Sequence, residues 1–146
     1  MTETILFVED SDDDFIATMR AFKKASLSNP IQRCSNGEQA LDYLYQRGEF
    51  SVPGSAPKPG IILLDLNMPG TDGRDVLRTI KSDPRLHQTP VVVLTTSYAR
   101  EDITKCYEGG ADSYLQKPVD FAGFSGAVGR INACRFEIVV SPREVQ

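Results

Sequence analysis

The sequence contains little histidine and little cysteine. Its only histidine, His87, lies in a polar stretch, so we expect it on a solvated loop, and it cannot build a histidine metal site by itself. The three cysteines, Cys34, Cys106 and Cys134, are odd in number and far apart, with no CxxC spacing. This pattern argues against a zinc site or a thioredoxin-like redox motif. We expect free thiols, as is usual in a reducing cytosol.

The chain also lacks an excess of basic charge and any long apolar run. It has 16 lysines and arginines against 20 aspartates and glutamates, a net charge of −4, which disfavours direct binding to nucleic acid through a basic surface. No apolar stretch is long enough to span a membrane, and no signal peptide is evident. These absences predict a cytoplasmic protein with no membrane partner. With 146 residues, one domain is expected.

Acidic residues are concentrated near the N-terminus. Five of the six residues at positions 9–14 are acidic, namely Glu9, Asp10, Asp12, Asp13 and Asp14. A helix that begins after Ser11 would hold the last three in its first turn, where negative charge interacts favourably with the helix dipole. Asp12 has a second interpretation, a place near the water shell of a bound metal. Glu9 and Asp10 directly follow an apolar run, so they need a different explanation.

Short apolar runs alternate with helical patterns along the chain. Strands are predicted at residues 5–8, 31–35, 61–64, 91–94 and 113–116. Helices are predicted after Ser11, from the cap Asn36 to about residue 47, from Asp72, over residues 99–109, and from about Asp120. This alternation predicts an α/β fold, a doubly wound parallel sheet of five strands with helices on both faces.

Polar residues follow four of the predicted strands, which end next to Glu9 and Asp10, Asp65, Thr95, and Lys117. In a doubly wound sheet, ligands bind beyond the carboxyl ends of the strands. Clustered carboxylates repel one another, and either protonation or a hard divalent cation would relieve that repulsion. Lys117 suits an anion better than a metal. Acids and a lysine together therefore indicate phosphoryl chemistry, in which an aspartate can be the nucleophile.

Four motifs make the pattern specific. They are VEDS at 8–11, LDLNMPGTDG at 64–73, LTTS at 94–97 and GADSYLQKP at 110–118. In this order, and on these predicted elements, they closely resemble the receiver domain of two-component response regulators, over about residues 4–131. The resemblance implies a flavodoxin-like sheet of order 2-1-3-4-5. It also implies a single receiver domain over residues 1–146, in which residues 132–146 form a C-terminal extension.

The resemblance assigns Asp65 as the phosphoacceptor. It implies Mg²⁺ as the cofactor, with Mn²⁺ as a substitute. The implied metal ligands are Glu9 (through a metal-bound water), Asp10, Asp65 and the backbone carbonyl of Asn67. Lys117 corresponds to the lysine that pairs with the phosphoryl group. Thr95 and Tyr114 correspond to the switch hydroxyl and the switch aromatic, and the peptide bond before Pro118 is expected to be cis.

The implied function is a phosphorelay receiver, not an enzyme, whose donor is a sensor histidine kinase. Small receivers that pair with phytochrome kinases share the insertion and the extended C-terminus, so a phytochrome is one candidate donor. They also suggest a homodimer through helix 4, strand 5, helix 5 and the extension. Output would then use protein contacts. The alternatives are a phosphorylation-independent scaffold and a Mg²⁺-dependent phosphohydrolase of the haloacid-dehalogenase type, which needs an aspartate where this chain has Asn67.

Three segments leave alternatives open. Residues 48–60, rich in proline and glycine, are either a tolerated surface insertion or a partner contact. The last helix contains Gly123, Gly126 and Gly129, which would either fray it or permit close packing against a partner. The apolar run at residues 136–140 would either extend that helix or form a short strand.

Overall fold

The computed structural model describes residues 3–68, 71–96, 99–131 and 135–142. The five strands of the main sheet are β1 (Thr4–Val8), β2 (Ile31–Cys34), β3 (Pro59–Asp65), β4 (Val91–Thr95) and β5 (Ser113–Gln116). The helices are α1 (Asp12–Lys24), α2 (Gly37–Tyr45), α3 (Gly73–Ser82), α4 (Arg100–Glu108) and α5 (Phe121–Gly129). Pro69, Gly70, Ser97 and Cys134, which the motifs and the cysteine pattern involve, lie outside the described residues.

All neighbouring strands of the main sheet pair in parallel, in the order β2-β1-β3-β4-β5. This confirms the predicted fold class and strand order. Beyond β3, residues Asn67–Met68 pair antiparallel with Thr71–Asp72 before α3 begins. Among the described residues, no helix is both long enough and apolar enough to cross a membrane.

The three central strands are buried at every position, and their inner residues are apolar, because both faces of the sheet are covered. Leu6 and Leu64 pack on one face with residues of α2 and α3 such as Ala40 and Val76. The alternate strand residues pack on the other face, where Phe7 lies in the same cluster as Phe22 of α1 and Phe124 of α5. Because successive side chains of a strand point to opposite faces, one apolar run contributes residues to both hydrophobic cores.

Side-chain caps begin three of the helices, at the positions that the sequence indicates. Ser11, Asn36 and Asp120 each accept a hydrogen bond from the backbone N–H three residues later. The Ser11 backbone N–H donates in turn to Glu9 Oε2 at 3.3 Å. The β1–α1 loop is therefore tied directly to Glu9.

The insertion at residues 48–60 is anchored to the core. It opens with a single 3₁₀ turn at Gly48–Phe50, and Phe50 packs edge-on against Tyr43, with ring centroids 5.1 Å apart. The Tyr43 hydroxyl donates to the Pro57 carbonyl at 2.7 Å. Residues 51–55 are exposed, so the tip of the insertion is a surface loop held at both ends.

The C-terminal segment is neither a continuation of α5 nor a regular strand. Residues 135–142 run along the loop that precedes β2, with a single antiparallel bridge between Leu27 and Val140. Asn29 joins the two segments, because its amide donates to Glu137 O at 3.0 Å and accepts from Val139 N at 2.7 Å. Phe136 is buried in the core beside α5.

Gly73 allows α3 to begin against the end of β3. A methyl group at Gly73 would lie 2.6 Å from the Leu66 Cα and 2.7 Å from the Asp65 carbonyl oxygen, both of them backbone atoms that cannot move independently. We expect Gly73→Ala to lower the free energy of unfolding by about 1–3 kcal/mol, as overpacking does. Urea denaturation followed by circular dichroism measures this change.

Gly126→Ala is the matched control. Gly126 is exposed in α5, and only the end of Arg130 lies near the place of the added methyl group, at 3.7 Å. We expect this variant to gain about 0.5–1 kcal/mol from helix propensity. Equal effects of the two substitutions would contradict the proposed close approach at Gly73.

Candidate functional site

The site lies at the carboxyl edge of the sheet, where four adjacent strands end. Glu9 follows β1, Asp65 ends β3, Thr95 ends β4 and Lys117 follows β5. Glu9, Asp65 and Thr95 are each at most 5% exposed. Parallel pairing in register brings these residues together, because the chain ends of neighbouring strands meet at one edge. The sequence predicted this set at this edge.

One ammonium group holds the site together. Lys117 Nζ lies 2.7 Å from Glu9 Oε1, 2.9 Å from Asp65 Oδ2 and 3.0 Å from Asp14 Oδ2. The contacts to Asp65 and Asp14 are hydrogen bonds, whereas Glu9 Oε1 is at ion-pair distance without making a hydrogen bond. The backbone N–H of Lys117 donates to Thr95 O at 2.8 Å, which fixes the end of β5 against β4.

Burial and charge alter the proton affinities in this cluster. Burial, followed by the interaction with Asp65, raises the pKa of Glu9 to about 7, and Lys117 opposes part of that shift. Burial alone would lower the pKa of Lys117, but the contacts with Glu9, Asp65 and Asp14 raise it above the ordinary value. Lys117 is therefore a fixed cation near neutral pH, while Glu9 is able to take up a proton.

The donor set fits a hard divalent cation. One carboxylate oxygen from each of Glu9, Asp10 and Asp65 lies within 4.8 Å of the other two. Asp10 is the more accessible of the three, so the group opens toward solvent. Oxygen-only donors with room for water suit Mg²⁺ or Mn²⁺. Asn67 lies beside this group, since its N–H donates to Asp65 Oδ1 at 3.0 Å; ligation through its carbonyl stays a prediction.

Tyr114 of β5 contacts residues of the two neighbouring helical segments. It is half-buried, and its ring meets that of Tyr107 of α4 edge-on, with centroids 6.0 Å apart. Arg130, just after α5, lies over the same ring at 5.5 Å and donates to Tyr114 O at 2.8 Å. The aromatic residue thus joins α4, β5 and α5. The peptide bond between Lys117 and Pro118 is cis.

Two contacts of the site are not predictable from the motifs. Asp14 was expected to serve only the helix N-terminus, yet it contacts Lys117. This contact joins residues 103 positions apart, so no local pattern in the sequence indicated it. Arg33 of β2 was not singled out. It donates from Nε to Glu9 O at 3.1 Å and forms a 2.7 Å ion pair with Asp12, the acid that had a possible place near a metal.

Comparisons with known proteins agree with this geometry. A family model described as the response regulator receiver domain matches residues 5–128. The response regulator Rcp1 of Synechocystis is 36% identical over 140 residues, which cover 96% of this chain and 93% of Rcp1.

The solved structures that resemble this chain are also response regulators. The bacteriophytochrome response regulator AtBRR has a TM-score of 0.81 at 37% identity and covers 90% of this chain and 93% of its own. The Mn²⁺-bound form of Rcp1 has a TM-score of 0.73 at 37% identity, covering 97% and 99%. The phosphorylated cyanobacterial phytochrome response regulator RcpA has a TM-score of 0.73 at 35% identity, covering 88% and 91%.

The raised pKa of Glu9 predicts a pH-dependent stability. Its pKa rises from an ordinary value of 4.5 to about 7 on folding, so the folded chain holds a proton that the unfolded chain releases. The stability that Glu9 contributes is complete below pH 4.5 and is lost as the pH rises through 7. Without divalent cations, the free energy of unfolding of the wild type should fall by roughly 3 kcal/mol relative to that of Glu9→Gln across this window. Urea denaturation in the presence of a chelator measures both. Parallel pH profiles for the two proteins would contradict the prediction.

Proposed function

The chain belongs to the response regulator receiver domain family, and we propose that it accepts a phosphoryl group on Asp65 from a sensor histidine kinase. Receiver domains of two-component systems are signalling proteins that partner with histidine kinases and bind divalent metal. The observation that carries the proposal is the 2.9 Å contact between Lys117 Nζ and Asp65 Oδ2 beside the carboxylates of Glu9 and Asp10. A nucleophilic carboxylate, a cation site and a fixed ammonium meet at this point.

Each residue of the site has a distinct role in the proposed phosphoryl transfer. An Asp65 oxygen attacks phosphorus, the N–P bond of the donor phosphohistidine breaks, and the electron pair returns to the imidazole nitrogen. A divalent cation held by Glu9, Asp10, Asp65 and the Asn67 carbonyl would supply positive charge against the incoming phosphoryl oxygens. Lys117 supplies a second cation, already desolvated and oriented. Asn67 cannot donate a carboxylic proton, so the chain lacks the general acid of a haloacid-dehalogenase-type phosphohydrolase.

The response would begin as an electrostatic change at Asp65. Phosphorylation adds roughly −1.5 to −2 of charge, which attracts the Lys117 ammonium and the Thr95 hydroxyl. The Lys117 backbone N–H donates a hydrogen bond to Thr95 O. A shift of either side chain would therefore displace the ends of both β4 and β5. Tyr114 connects β5 to α4 and α5, so we propose that the α4-β5-α5 face repacks between two states.

We further propose a phytochrome as the kinase partner and a homodimer as the assembly. The names of AtBRR and RcpA, which cover about nine-tenths of this chain, support the first. The dimer would use the α4-β5-α5 face and the C-terminal extension, residues 132–146, beyond a receiver core of about residues 4–131. Output would use protein contacts, with no direct nucleic-acid or membrane partner, in the cytoplasm.

The phosphoacceptor assignment is tested with a small acyl-phosphate donor. Incubation with the donor and Mg²⁺ should give an acid-stable, base-labile adduct on the wild type and only background labelling on Asp65→Asn, because Asp65 is the carboxylate placed beside both Lys117 and the acid group of Glu9 and Asp10. Asp75→Asn is the control, since Asp75 is an exposed acid of α3 paired with Arg78, and it should label as the wild type does. An unlabelled wild type would support the scaffold alternative, and full labelling of Asp65→Asn would refute the assignment.

Lys117 should couple the phosphoryl group to association. We expect Lys117→Ala to retain Mg²⁺ binding but to lose any change in sedimentation coefficient on phosphorylation, because the ammonium that moves the end of β5 is gone. Lys58→Ala, at an exposed lysine of the insertion, is the control and should keep the wild-type response. An undiminished shift in Lys117→Ala would contradict the role assigned to Lys117.

A further inference from the structure

Lys117 contacts one carboxylate more than the metal and phosphoryl chemistry requires. The side chains of Glu9 and Asp65 are 1% and 4% exposed, whereas that of Asp14, the third partner, is 52% exposed. An ammonium has three hydrogens to donate. In this arrangement it donates to Asp65 and Asp14 and lies 2.7 Å from Glu9 Oε1, so a phosphoryl oxygen that comes to Lys117 crowds these carboxylates.

The three contacts differ in what their loss would cost. A buried carboxylate that loses its cation keeps its charge without water to solvate it, which is strongly unfavourable. The exposed Asp14 carboxylate exchanges the ammonium for water at little cost, as exposed ion pairs do. The Asp14 carboxylate also contacts the ammonium group that a phosphoryl group would approach. Its negative charge would therefore repel the incoming phosphoryl oxygens at short range.

From these differences we infer that Asp14 is a positioning residue that competes with the phosphoryl group for Lys117. The inference rests on the proposed phosphorylation of Asp65. With Asp65 unmodified, Asp14 draws the ammonium partly toward the first turn of α1. When a phosphoryl group occupies Asp65, Asp14 releases Lys117 and turns to solvent. Asp14 therefore opposes the modified state and limits its occupancy.

Beryllofluoride, which binds an aspartate carboxylate as a phosphoryl mimic, measures this competition without a hydrolysis step. Its affinity is determined by ¹⁹F NMR at saturating Mg²⁺ for the wild type and the variants Asp14→Asn, Asp14→Glu and Asp13→Asn. Asp13 is an exposed acid in the same turn and is not a partner of Lys117 among the described ion pairs. It controls for the loss of one negative charge near the site.

We expect Asp14→Asn to bind beryllofluoride about two- to fivefold more tightly than Asp13→Asn, the range set by an exposed ion pair. Asp14→Glu restores the carboxylate and should return the affinity to that of the wild type. Equal affinities of the two asparagine variants, weaker binding by Asp14→Asn, or tight binding by Asp14→Glu would overturn the inference. A wild type that binds no beryllofluoride would instead refute the proposed function, so the two failures are distinguishable.

Discussion

The site depends on a single cation held among acids. Lys117 Nζ lies within 3.0 Å of three carboxylates, two of which are almost wholly buried, and an unpaired buried carboxylate is among the most unfavourable groups that a protein can contain. Lys117 offsets the cost of burying Glu9 and Asp65 at the edge of the sheet. Lys117 is held at this place because β5 ends beside β4, and the Lys117 backbone N–H donates a hydrogen bond to Thr95 O. The five-stranded order and the in-register pairing are therefore conditions for the chemistry as well as for the fold.

The same interaction explains why a local charge change would reach the surface. Lys117 and Tyr114 are three residues apart on either side of the end of β5, and Tyr114 contacts Tyr107 of α4 and Arg130 after α5. The acid cluster carries more negative charge than one ammonium can balance, so it favours a divalent cation. A phosphoryl group on Asp65 would change that balance again, and Lys117 would experience the change directly because it contacts Asp65.

Sequence periodicity predicted the fold because burial here is nearly complete. A short uninterrupted apolar run such as residues 61–64, bounded by Gly60 and Asp65, favours a strand covered on both faces, and the polar residues that end such runs indicated the edge of the sheet where the site lies. The contacts of Asp14 and Arg33 were missed because they depend on how α1 and β2 pack against β1, which no local pattern reports. The C-terminal segment was ambiguous for a similar reason, since its bonds to Asn29 join residues 108 and 110 positions apart.

The C-terminal segment lies at the end of the sheet opposite the acid cluster. Asn29 precedes β2, and its amide also donates to the carbonyl of Glu3, which precedes β1, whereas Lys117 and the carboxylates follow the strands. A charge change at Asp65 acts directly on the ends of β4 and β5 and not on this attachment. An association made through residues 135–142 alone would therefore be insensitive to phosphorylation, whereas one that includes the α4-β5-α5 face would respond, because Lys117 directly follows β5.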